Sequence, residues 1–316
     1  MAAKRGILLM NLGSPADLSV RSIRRFLRDF LSDPLVVQLR RVCWLPILYG
    51  AILPWRPKKL LPAYAEIWLP EGSPLIVYCQ QLRQKLQEKL PEHVIHCAMR
   101  YGQPGVKEAL AAFAEVGVTD IKLLSLYPQY SVTTTQTNIE YVQRLAQPGQ
   151  QIQAVQDYHD HPAYIAALAG QIKTHWQENT RAECLLFSFH GLPEKSIQQG
   201  DPYYAQCLQT AALIVKALGL TDKQYRISFQ SRVGRARWLS PYTDETVTEL
   251  AQQGVGSLDV ICPGFSVDCL ETLEEIAMQN RDIFLENGGE TFHYIPALNA
   301  DDQHVEMLAT IALNGA

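Results

Sequence analysis

His190 stands where a strongly apolar run, Cys184–Phe189, breaks into the loop Gly191-Leu192-Pro193. An imidazole accepts a proton near neutral pH and ligates first-row metals, so a histidine delivered to the end of a buried strand can move protons or hold a cation. A histidine that merely caps a strand end is the competing reading, because not every loop beyond a strand is a site. Further along, Glu271 lies near the start of a helical pattern whose apolar positions are Val267, Leu270, Leu273, Ile276, Ala277 and Ile283. Asp268, Glu271 and Glu275 then fall at i, i+3 and i+7, an acidic ridge on another face. Acids in the first turns of a helix complement its dipole, which accounts for them without any site. Against that, Cys262-Pro263-Gly264-Phe265-Ser266 puts the helix start at the carboxyl end of a strand, and three acids there raise one another's proton affinity.

The elements that must position these groups alternate along the chain. Short apolar runs predict strands at Gly6–Met10, Val94–Met99, Ile121–Leu126, Ile152–Val155, Cys184–Phe189, Ile227–Phe229, Leu258–Cys262 and Phe292–Ile295. Longer amphipathic runs predict helices at Val20–Leu31, Gly105–Val116, Thr134–Leu145, Ala163–Gln177, Tyr203–Leu218 and Val267–Phe284. The alternation is that of an α/β chain with parallel sheets covered by helices on both faces, in two doubly wound halves. We expect a first lobe over residues 1–155, a second over 156–295 carrying His190 and Glu271, and a tail over 296–316 whose helix packs back on the first lobe. Ligands of such sheets sit beyond the carboxyl ends of the strands. The residues there are Asn11 to Pro15, Arg100 with Tyr101, Tyr127 to Tyr130, His190, Gln230 with Ser231, and Pro263 with Gly264. Neither a dinucleotide fingerprint nor a phosphate-cradling P-loop is among them.

Composition bounds the function. A chain of 316 residues, 47% apolar, can bury a large core, and a net charge of −4 provides no basic field for nucleic acid. The seven cysteines are scattered without a C-x-x-C, which fits a reducing compartment better than a disulfide framework or a zinc module. The start, with Lys4 and Arg5, runs straight into the first strand and lacks the form of a signal peptide, so a cytoplasmic location is expected.

Several other segments have two readings each. Val42–Trp55 is fourteen consecutive uncharged residues interrupted by Pro46 and Pro54 and followed by Arg56, Lys58 and Lys59. It is too short to span a bilayer and is either a core insertion or an exposed apolar lip with an interfacial cationic border. Tyr127 to Ser131 ends a strand with aromatic rings, and the following Thr133, Thr134 and Thr135 fit a capped helix. Trp238 is a core tryptophan or a platform for a flat ligand. Cys269 is a soft ligand or a small buried hydrophobe.

The run Leu185 to Pro193 with Gly200-Asp201-Pro202-Tyr203 resembles the signature of the ferrochelatases, which insert ferrous iron into a porphyrin. The likeness extends through Asn11 to Pro15, Gly72-Ser73-Pro74, Arg100-Tyr101, Tyr127 to Ser131, Gln230-Ser231 with Trp238, and Asp268 to Leu273. It implies the chelatase fold, two similar Rossmann-like lobes with the porphyrin in the cleft between them. It also implies His190 and Glu271 as the catalytic pair and the metal-contacting groups, with Asp268 and Glu275 relaying protons. Leu12, Tyr127 and Trp238 would flank the macrocycle, and Arg56, Ser73 and Arg100 would lie near its propionates. The Val42–Trp55 lip would wall the cleft mouth and meet the cytoplasmic membrane surface.

The implied reaction is insertion of Fe²⁺, a substrate rather than a prosthetic group, into protoporphyrin IX with release of two protons. Coproporphyrin or cobalt insertion, or a non-catalytic two-lobed haem or metabolite carrier, are the rival readings. Cys269 replaces the histidine of animal relatives, and the cysteine-rich tail that binds a [2Fe–2S] cluster in some members has no counterpart, so no cluster is expected.

Overall fold

All six residues of strand β1 (Gly6–Asn11) are buried, as a strand covered by helices on both faces must be. Around it, in a computed structural model describing residues 5–234 and 236–314, a parallel sheet forms in the order β2-β1-β3-β4. Its other strands are β2 (Val94–Met99), β3 (Asp120–Ser125) and β4 (Gln151–Val155). A second parallel sheet, β6-β5-β7-β8, repeats the same order with β5 (Cys184–His190), β6 (Tyr225–Gln230), β7 (Ser257–Ile261) and β8 (Thr291–Ile295). Two α/β lobes of matching topology result. Lys4, noted in the sequence, lies outside the described residues.

Contact density divides the chain into one unit of Met1–Tyr127, Ser131–Asp157 and Ala300–Ala316, and another of Pro128–Tyr130 and Tyr158–Asn299. The first is built on Leu8 and Met10 of β1 packed against Phe113, Leu123 and Val142, all nearly inaccessible. Burying one such side chain contributes about 1.5–3 kcal/mol. The second has Leu186, Val260, Ile276 and Phe284 at its centre. Helices α1 (Val20–Leu31), α5 (Val106–Glu115) and α6 (Thr137–Leu145) belong to the first unit, and α7 (Pro162–Glu178), α8 (Glu194–Gln198), α9 (Tyr203–Leu218) and α10 (Thr243–Gln252) to the second.

The terminal helix α12 (Asp302–Asn314) packs on α4 (Pro74–Lys89) within the first unit, where Lys85 and Lys89 pair with Asp302 and Glu306. Its buried residues include Val305, Leu308 and Ile311, spaced three apart on one face.

Two segments depart from the pattern read in sequence. Val42–Trp55 is helical rather than broken: α2 (Arg41–Ile47) passes through a π-helical turn, Leu48–Ile52, into α3 (Leu53–Ile67). Pro54 directly follows the π-turn, and that wider turn makes room for a ring with no N–H to return to the preceding helix. Leu48 and Leu53 are buried, whereas Val42, Ile47, Tyr49 and Trp55 are exposed, with Val42 75% and Trp55 66% accessible. Of the two readings, the exposed apolar lip describes this segment. Among the described residues no helix is long and apolar enough to cross a membrane.

The second departure is the helix after β7. Residues Glu271–Asn280 are π-helical and continue into α11 (Arg281–Glu286). Asp268, Thr272, Ile276, Asn280 and Phe284 are all buried, a strict period of four. An α-helix would turn such a row by about 40° at each step, because four residues exceed its 3.6-residue turn. Leu270, Leu273, Ala277 and Ile283, expected on the apolar face, are only half-buried. The predicted acidic ridge is therefore split: Asp268 joins the buried row, and Glu271 and Glu275 form the adjacent one.

Candidate active site

In the second unit β5 places His190 at its carboxyl end, in register with Gln230 of β6. The chain then turns through Gly191, whose amide donates to the Gln230 carbonyl at 2.7 Å. A Cβ on Gly191 would come within 2.8 Å of that carbonyl oxygen, so the close approach of the two strand ends depends on glycine. His190 Nδ1 lies 2.7 Å from the Gly191 carbonyl oxygen. A carbonyl can only accept, so Nδ1 carries the proton and Nε2 presents a lone pair. His190 is half-buried, leaving that nitrogen able to meet a ligand.

The acids opposite are held by β6 and the residue that ends it. Gln230 Nε2 donates to the backbone carbonyl of Glu271 at 2.8 Å, fixing the first π-helical turn. Its Oε1 accepts from Ser188 Oγ at 2.7 Å, and Thr243 lies 2.9 Å from both Ser188 and Ser228, so a buried hydroxyl chain orients the glutamine. Ser231 adopts φ 65°, which is left-handed backbone that L side chains rarely enter. In that conformation its N–H meets Glu275 Oε1 at 2.8 Å while its hydroxyl donates to Oε2. Burial pushes the Glu275 carboxyl above its ordinary range, Ser231 and, once its ring takes up a proton, His190 pull it back, and Glu271 raises it again. His190, Glu271 and Glu275 thus form one electrostatic group, which can accept a proton and pass it between carboxylates.

Asp268 lies elsewhere. Its carboxylate accepts from Tyr294 at 2.6 Å, Asn299 at 2.7 Å, Thr272 at 2.9 Å and the Ala297 amide at 3.3 Å. It is a buried side chain that ties the helix start to the end of β8. Burial, ahead of the Asp268 charge, pushes the Tyr294 hydroxyl well up, so that phenol stays a donor. Cys269 is buried, and burial followed by the Glu271 charge raises its thiol, which makes it the small hydrophobe of the two readings.

Trp238 is half-buried, its Nε1 donating to Val233 at 2.8 Å and its backbone bridging to Pro193. Its ring lies close enough to Gly191 that a Cβ there would be 3.4 Å away, so Trp238 flanks the His190 turn.

The remaining predicted residues belong to the first unit. Leu12 is half-buried in the turn after β1, where the Tyr101 amide donates to its carbonyl at 2.8 Å. Gly13 completes that turn at φ 105°, with the Tyr101 carbonyl where a Cβ would stand. Arg100 is bound to Asp33, its guanidinium 4.0 Å above the Tyr141 ring, and Tyr101 donates to the same Asp33 oxygen at 2.8 Å. Sequence reading missed Asp33, and no local signal marks it, because it lies 67 residues from Arg100. Ser73 is buried at the start of α4, Tyr127 is half-buried after β3, and Arg56 is exposed on α3.

The comparisons with known proteins agree in kind. A family model described as ferrochelatase matches residues 4–316. The ferrochelatase of Bordetella pertussis is 48% identical over 315 residues, covering 97% of this chain and 86% of its own. That of Vibrio cholerae is 45% identical over 311 residues, covering 98% of this chain and 97% of its own. Among solved structures, the sirohydrochlorin chelatase SirB of Bacillus subtilis, in complex with cobalt, has a TM-score of 0.55 at 12% identity, covering 99% of this chain and 95% of that one. CbiX, an enzyme of sirohaem biosynthesis, has a TM-score of 0.54 at 10% identity, covering 99% of both chains. These two are likenesses of fold. With a family model spanning nearly its full length and relatives close to half identical, the chain belongs to the ferrochelatase family.

Proposed function

We propose that the chain is the iron-inserting lyase of haem biosynthesis that its family name describes, with protoporphyrin IX as porphyrin and Fe²⁺ as the second substrate. The single observation that carries the reading is the His190 ring, whose Nδ1 is anchored on the Gly191 carbonyl so that Nε2 is free, in the same electrostatic group as Glu271 and Glu275. Insertion exchanges two pyrrole N–H protons for one metal ion. His190 Nε2 accepts a pyrrole proton, and Glu275, whose burial strengthens its hold on a proton, relays it with Glu271. The same Nε2 and the Glu271 carboxylate are suited to receive Fe²⁺ on its way in. Asp268, fixed by four donors, supports this relay by holding the helix start.

Leu12, Tyr127 and Trp238 supply apolar and aromatic contact for the macrocycle, and Arg56, Ser73 and Arg100 line its propionate side. Arg100 is pre-oriented for that by Asp33 and the Tyr141 ring. The exposed Val42, Ile47, Tyr49 and Trp55, bordered by Arg56, Lys58 and Lys59, form a surface for an anionic bilayer, from which a water-shy porphyrin would come.

The test is anaerobic insertion of Fe²⁺, followed optically, into protoporphyrin and coproporphyrin in parallel. Wild-type chain should metallate protoporphyrin faster, and His190→Ala should bind porphyrin but lose nearly all turnover. Ordinary turnover by that variant would remove His190 from the mechanism, and faster use of coproporphyrin would reassign the substrate.

A further inference from the structure

Asp259 sits at the midpoint of β7, 1% exposed, in the interior of the second unit. Register places it beside His293 of the edge strand β8, and α7 carries His175 over the pair. The two imidazole rings meet edge to face, centroids 5.4 Å apart. Asp259 Oδ1 is 3.1 Å from His293 Nδ1 and 3.4 Å from His175 Nε2. One atom from each of the three side chains lies within 4.8 Å of the others. His175 Nε2 is buried and makes no hydrogen bond.

We propose that His175, Asp259 and His293 form a binding site for a divalent first-row cation of the zinc type, separate from the His190 group. Two imidazole nitrogens and one carboxylate oxygen are a donor set suited to zinc or cobalt, with a fourth position left for water. A tetrahedral ion with bonds of about 2.0–2.1 Å spaces its ligands about 3.3 Å apart, close to both separations from Oδ1. The carboxylate is already oriented: its other oxygen accepts from Trp176 Nε1 at 2.7 Å and from the Ala182 amide at 3.2 Å, leaving Oδ1 for the ion. Such outer partners are what tune a metal ligand.

Ligation through His175 Nε2 puts the ring proton on Nδ1. The Asn179 amide nitrogen, 3.3 Å from Nδ1, now donates to the His175 carbonyl at 3.1 Å, so taking up the ion requires that side chain to turn aside and leave the Nδ1 proton to solvent. His293 is partly open to solvent and provides the way in. No part of the proposed iron chemistry uses these residues, since the site lies in mid-strand rather than beyond the carboxyl ends.

The experiment titrates the metal-free full-length chain with Co²⁺, read by visible absorption, and with Zn²⁺, read by melting temperature. His190→Ala is used as the background, so that the porphyrin-side group contributes less. One equivalent of Co²⁺ should give the intense absorption of a tetrahedral ion. His293→Gln, at the open edge of the sheet, should weaken that equivalent by about 100-fold or more. Trp176→Phe, which keeps the packing and deletes one outer hydrogen bond, should weaken it by about 10–100-fold. Zn²⁺ should raise the melting temperature of the background chain and not that of the His293→Gln chain. With native circular dichroism in every variant, equal Co²⁺ binding in background, His293→Gln and Trp176→Phe overturns the site, as does a Zn²⁺ response that survives His293→Gln.

Discussion

Replacing Ser231 by alanine isolates one contribution to the proton affinity of Glu275. The serine hydroxyl donates to one carboxylate oxygen and its backbone N–H, which alanine retains, to the other. A hydrogen bond to a charged group contributes about 1.5–3 kcal/mol, and each pKa unit corresponds to about 1.4 kcal/mol. The lost donor favoured the ionised form, so its removal shifts Glu275 further in the direction that burial already pushes it. A protonated Glu275 cannot take a proton from His190. The acidic limb of turnover should therefore move to higher pH, while the plateau above it stays near the wild-type rate. Ser231→Gly loses the same hydroxyl but relieves the left-handed φ of 65°, so it should show the same limb in a protein more stable than the alanine variant. The assay is anaerobic iron insertion at saturating porphyrin across the pH range, paired with thermal melting. A limb unmoved in both variants would refute the relay through Glu275, and a limb moved only in Ser231→Ala would trace the effect to backbone strain.

Asp33→Ala leaves the Arg100 guanidinium, 13% exposed, without its carboxylate, and should cost about 3–5 kcal/mol of stability, visible as a clear fall in melting temperature; an unchanged melt would show the pair to be dispensable. Gly191→Ala drives a Cβ against the Gln230 carbonyl and should displace the His190 turn, lowering turnover by about 100-fold with modest loss of stability, whereas wild-type turnover would show that the strand ends can part freely. Converting Lys58 and Lys59 together to glutamine should weaken sedimentation with phosphatidylglycerol vesicles by about 30-fold, at about 1 kcal/mol per charge, and leave insertion into detergent-solubilised porphyrin intact. Equal sedimentation would remove the membrane role of the lip.

The strands were legible because a parallel strand covered on both faces has to be a short apolar run between turn residues. Each predicted strand overlaps the observed one, and Cys184–Phe189 fell one residue short only because His190 still pairs with Gln230. Helices α4 and α10 went unread. Both mix polar and apolar residues, with Gln80 and Gln81 inside one and Thr246 and Thr248 inside the other, so tertiary burial rather than local periodicity defines them. Of the proposed site, His190, Glu271 and Glu275 could be named from type and position. The groups that fix Arg100 and Asp268 could not, since Asp33, Tyr294 and Asn299 meet them only after the sheets have formed. Asp259 and His293 likewise become neighbours through strand register alone.

The π-helical stretch after β7 means that the two acids of the proposed relay depend on how many residues there are as much as on which ones. Glu271 and Glu275 keep to one row because the backbone between Glu271 and Asn280 is wound wider than an α-helix. Excising a single residue from Ile276–Asn280 would either swing Phe284 by about 90° away from the core it fills or, if one turn rewound to α-helical pitch to compensate, break the four-residue row that runs from Asp268 to Asn280. The segment should accept many replacements and reject almost any insertion or deletion, a constraint that scanning by substitution alone would never detect.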